Sequence, residues 1–92
     1  MDVMPDQLID RTTAQALQAD ARRDRLLVGW VVVRDQPGPG QFTARLVTEA
    51  PTVYVLRADT LAELHAQLPP GVERSDRRTA DPPDLVEIWF AM

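Results

Sequence analysis

An α+β fold, a two-layer sandwich with one sheet carrying its helices on one face, is what this chain predicts. Three observations lead there. Short strand-like runs at 26–34, 41–48 and 52–57, the first dominated by Val, are joined by brief Pro-containing connections, which reads as a three-stranded antiparallel meander. Thr60 is followed three residues later by Glu63, a capping box in which side chains satisfy the orphan amides of a helix's first turn. A last apolar run, 85–90, returns after a long charged stretch as a strand of the same sheet. The predicted order is N-terminal helix, three strands, short helix, long loop, C-terminal strand. Residues 1–25 are read as a helical arm and 26–92 as a single α+β domain.

The arm comes first. Residues 6–24 are rich in Ala, Gln and Arg and set Leu8, Ile9, Thr12, Ala16 and Ala19 at helical spacing, a thin apolar face that docks only lightly. It is open from sequence whether this segment frays, crosses to a second subunit or stays partly disordered. Residues 26–34, LLVGWVVVR, combine β-branched residues with Trp30, the composition of a strand. Both alternating sets are apolar, so this strand is expected to be buried on two faces or to lie at an interface. Asp35 to Gly40 is a loop, and 41–48 alternates Phe42, Ala44 and Leu46 with Gln41, Thr43 and Arg45, closing a hairpin. Glu49-Ala50-Pro51 turns the chain into the third strand, 52–57.

The helix over 61–68 places Leu61, Leu64, His65 and Leu68 on one face, the stripe of a helix lying on a sheet, and Pro69-Pro70-Gly71 stops it. Residues 69–84 are proline-flanked and charged, with Val72 and Ala80 their only apolar members, so a surface loop is expected. Residues 85–90, LVEIWF, are apolar on both faces apart from Glu87. Trp30, Val32 and Trp89 are the candidates for an uncovered sheet face that meets a second copy of the chain.

Composition narrows the function. Ninety-two residues with 45% hydrophobic content suit one core. The chain has no cysteine and a single histidine, which excludes disulfides and thiolate metal sites. No apolar run approaches the roughly 20 residues that span a bilayer. Asp2, Asp6 and Asp10 occupy the start where a secretory signal is basic and then apolar, so a cytoplasmic protein is expected. All ten basic residues are arginine and the net charge is −4, a balance that opposes phosphate-driven nucleic-acid binding.

His65 is the only side chain suited by type to proton transfer near neutral pH, but its leucine-rich helix brings it no base or nucleophile in sequence, and no catalytic residue is assigned. Asp76, Asp81 and Asp84, with Glu73, gather oxygens of the kind hard cations take. Three arginines interrupt them, and no metal or other cofactor is assigned. Those arginines, Arg74, Arg77 and Arg78, are candidates for an anion or a partner's carboxylates, since guanidinium forks hold both. The Pro37-Gly38-Pro39-Gly40 loop joins two strands, and its prolines lack the amides a phosphate cradle needs.

The helix, three strands, helix order is also that of double-stranded-RNA-binding domains, yet acids occupy the second helix start where those domains carry lysines. Residues 27–68, with Asp59, Thr60, Leu61 and Glu63 at the helix start, resemble the N-terminal domain of HicB-type antitoxins. Ala58 stands where that family usually has glycine. The resemblance implies a partial RNase H-like αβ fold that occludes a toxin partner without catalytic residues. The two-sided apolar strands and the absence of catalytic groups suggest a small soluble non-enzymatic protein acting through protein contact as a homodimer. The alternatives are a HicB-like inhibitor, and a small-molecule binder or enzyme with a pocket gathering His65 with Tyr54, Arg57 or the 73–84 loop.

Overall fold

The structure, a computed structural model, describes residues 6–34, 41–75 and 85–91. Along the chain run β1 (Gln7–Leu8), α1 (Arg11–Arg23), β2 (Val28–Arg34), β3 (Phe42–Val47), β4 (Pro51–Ala58), α2 (Leu61–Gln67), β5 (Val72–Ser75) and β6 (Leu85–Ala91). They form an α+β architecture with one six-stranded mixed sheet, ordered β1-β4-β3-β2-β6-β5. β1 runs parallel to β4, and every other pair is antiparallel.

Helix α1 begins later than the sequence suggests because Asp10 caps it. Its extended backbone and its carboxylate, which accepts from the Thr13 amide at 2.8 Å, end the preceding segment. Residues 7 and 8 therefore pair with Tyr54 and Val55 as strand rather than helix, a correction to the expected arm. The far end closes as a Schellman motif, with the Arg25 amide on the Arg22 carbonyl and the Leu26 amide on that of Ala21. Arg25 takes the left-handed conformation, φ 60°, at the position that favours glycine.

The helix does not leave the domain. Ala14, Gln18 and Ala21 are buried, and Ala14 and Ala21 join Ile9 and the strands in one core. Gln18 supplies the grip that the thin apolar face lacks. Its Oε1 accepts from Trp30 Nε1 at 2.9 Å, while its Nε2 donates to the Pro70 carbonyl at 2.9 Å. One side chain thus ties α1 to β2 and to the segment that ends α2.

Helix α2 starts where the capping box places it, with Thr60 Oγ1 accepting from the Glu63 amide at 3.1 Å. Gly71, at φ 84°, turns the chain out of the Pro-Pro stop. The expected long loop is interrupted at once, because residues 72–75 form edge strand β5 against β6, the second correction. A four-residue strand carrying Glu73 and Arg74 reads as loop in sequence because charge is how natural sheets blunt their edges.

Register decides which side is which. Trp30 stands opposite both Leu46 and Trp89, and Val32 opposite both Ala44 and Glu87, so these residues share one face. Both helices cover it. Trp30, Val32, Ala44, Leu56 and Leu64 are fully buried there, and sealing a side chain such as Leu56 from water contributes about 2 kcal/mol.

Candidate functional site

Two regions carry more chemistry than packing demands, one on each face of the sheet. On the covered face, α2 buries Leu64 and leaves the neighbouring His65 half-exposed over β6. There His65 Nε2 meets Oε1 of Glu87, whose side chain is only 7% exposed. Trp89, two residues along the same strand and on the same face, donates Nε1 to that oxygen at 2.8 Å. Its ring also meets the imidazole in a T-shaped contact, centroids 5.1 Å apart. The other carboxyl oxygen of Glu87 lies 3.9 Å from Arg74 Nη1. A buried carboxyl group is costly unless bonded, and here three side chains from α2, β5 and β6 surround it.

The arrangement suits a lock between α2 and β6. One imidazole nitrogen, Nε2, is held by Glu87, which fixes the ring over β6. Among the described residues, no group of three or more His, Asp or Glu is placed to hold a metal ion. Buried side-chain polar atoms in the described residues all have partners.

The opposite face is different. Gly29, Val31 and Val33 of β2 point there, with Val47 of β3, Val55 of β4 and Ile88 and Phe90 of β6. Leu8 of β1, beside Val55, is 64% exposed. Val31, Val33, Val53, Ile88 and Phe90 are each half-buried. A shallow cleft of about 240 Å³ opens among Val31, Val33, Val47 and Pro51. Arg45 forms its polar end. Its Nη1 donates to the Thr52 carbonyl at 2.7 Å, and its Nη2 lies 2.7 Å from Asp6 Oδ1.

These positions correct the sequence reading of the interface. Trp30, Val32 and Trp89 lie on the helix-covered face; Trp30 and Val32 are 0% exposed, and the indole of Trp89 is engaged with Glu87 and His65. Both alternating sets of β2 are apolar, and only the set holding Trp30 has the volume to fill the layer beneath two helices. Arg74 lies 3.9 Å from Glu87 with its side chain 57% exposed. Arg77 and Arg78, like Asp76, Asp81, Asp84 and the Pro37–Gly40 loop, lie outside the described residues. Of the groups expected to gather with His65, Arg57 shares its face with Thr43 and Arg45, across the sheet from the imidazole.

Glu87, Asp6, Arg45 and Gln18 are the working residues that sequence reasoning missed. A signal existed for Glu87, the one acid inside an apolar run. The others had none, because their partners are distant in sequence or belong to the unremarkable polar half of an alternating strand. No family model, curated protein or solved structure matches the chain. Among the described residues, no helix is long and apolar enough to cross a membrane.

Proposed function

We propose that this chain is a small non-enzymatic protein that works through protein contact, as a homodimer, and that the uncovered sheet face is its contact surface. One observation carries the reading: both helices lie on one face, and the other presents Leu8, Val31, Val33, Val47, Val53, Ile88 and Phe90 with no described element over them. Leu8 is exposed and the others are half-buried, and a contiguous apolar patch left partly open to water marks an interaction site. The polar chemistry of the covered face is used within the fold, which further favours contact over catalysis. Static light scattering on the full chain tests it. A mass twice the 10.3 kDa of one chain is expected, with Val31→Asp shifting it to one; a single-chain mass across a concentration series removes the homodimer.

A HicB-like inhibitor is a narrower form of the same reading, with a different chain on the contact surface. Its support is the helix start at Asp59, Thr60, Leu61 and Glu63. Recovery of one stoichiometric partner from the native host would favour it, and recovery of this chain alone would count against it.

A further inference from the structure

We infer that the occupant of the open face is a second copy of this chain, seated face to face, and that Arg45 and Asp6 are the charges that make the face complementary to itself. This assignment rests on the proposed contact function and specifies its surface and its determinants.

Charge points to a second copy first. The chain as a whole carries −4, so two copies meeting through an average patch of surface repel. The open face escapes that balance. Arg45 and Asp6 lie on it as a pair. Arg57 shares it through its register with Thr43, and Glu73 through its register with Phe90. Among the described strand residues and Asp6, two positive and two negative charges lie on it and cancel. A two-fold dimer uses one patch twice, so the patch must carry both signs of any charge it buries, and this one does. A partner selected for charge opposite to an acidic protein would instead be met by acidic surface.

Area agrees. Six strands about 4.8 Å apart and about six residues long make a face of roughly 29 by 20 Å in projection. That projection, about 600 Å², is of the order of the roughly 800 Å² per partner that specific interfaces bury. The valines, Ile88 and Phe90 supply apolar surface, and Arg45 sits among them between Val31 and Val55, where a second copy would have to answer its charge.

Charge reversal tests this directly. Arg45→Glu takes the face two charges negative, and Asp6→Arg takes it two charges positive. Each variant alone is expected to weaken self-association by at least about tenfold, because like charges then oppose each other across the two-fold. An equimolar mixture of the two is expected to recover a dimer by light scattering, with native mass spectrometry showing one copy of each. Added salt should partly restore the single variants. Should Arg45→Glu lose its fold by circular dichroism, Val53→Glu supplies negative charge on the same face. Single variants that dimerise as the wild type does, with no preference for the mixed pair, overturn the face-to-face assignment and leave the homodimer standing. A wild type that stays monomeric overturns the homodimer itself.

Discussion

The two faces of the sheet differ in how far they are closed: both helices pack on one, and most apolar side chains of the other stay half-buried. Beneath the helices, each polar side chain is answered from within the fold. Gln18 joins Trp30 to the Pro70 carbonyl, and Glu87 joins His65 to Trp89. On the open face the valines of β2 and β3 are half-covered, and the Arg45–Asp6 pair stays partly in water. Polar groups are answered within the fold on both faces, Arg45 by Thr52 and Asp6 on the open one, and the faces differ in how far their apolar side chains are buried. Trp30, His65, Trp89 and Arg74, which attract attention in the sequence, serve the first side. The proposed function belongs to the second.

The contrast breaks first at Trp30. Trp30→Ala empties the largest fully buried position and orphans Gln18 Oε1, so a loss of about 3 to 5 kcal/mol is expected in urea unfolding. That approaches the whole stability of a domain this size. If the variant unfolds outright, Trp30→Phe keeps most of the volume, removes only the indole donor, and is expected to cost about 1 to 2 kcal/mol. A comparable loss from Val31→Asp measured on the monomer would contradict the division of labour, since Val31 lies on the face that leaves stability largely to the other.

Glu87 comes next. Glu87→Ala leaves His65 and Trp89 without their shared acceptor, and a loss of about 2 to 3 kcal/mol is expected. Glu87→Gln keeps an acceptor oxygen and should cost less. Nitrogen-15 shifts of the His65 ring report the lock separately from stability, and they should change in both variants while the open-face valine methyls stay put.

Smaller effects sit at the two ends of α1. Arg25→Gly removes a side chain from a left-handed position. A gain of up to about 1 kcal/mol is expected in thermal unfolding, with glycine's greater freedom in the unfolded chain offsetting part of the relief. At the other end, the Thr13 amide and hydroxyl hold the Asp10 carboxyl below the ordinary carboxylate range. A carboxyl group lowered in the folded state contributes stability above its unfolded value, and that contribution is lost as pH falls through the folded one. Asp10→Asn keeps a capping oxygen but cannot titrate. Its acid-side melting curve should therefore be flatter than the wild type's, with the two curves converging at the lowest pH.

Legibility from residues alone depends on how local each feature is. Strands β2, β3, β4 and β6 and the start of α2 are written in short-range patterns: Val-rich runs, clean alternation from Gln41 to Leu46, and Thr60 three residues before Glu63. β1 is two residues of parallel strand, too short for any periodicity. β5 hides behind the charges of Glu73 and Arg74. The face that β2 turns to the helices is ambiguous because Val31 and Val33 are as apolar as Val32. Only Gln18, from twelve residues away, marks Trp30 as the buried member. The Glu87–His65 contact is likewise non-local, and only the oddity of an acid in an apolar strand points toward it.

The most direct test of the central claim is solvent paramagnetic relaxation of valine, isoleucine and alanine methyls across a protein concentration series, using a soluble relaxation agent. In concentrated solution Val31, Val33, Val47, Val53 and Ile88 are expected to be shielded, and to lose that shielding together on dilution, while the exposed Ala62 and Ala66 of α2 stay accessible throughout. Open-face methyls that remain equally accessible at every concentration, with or without shielding elsewhere, would contradict it.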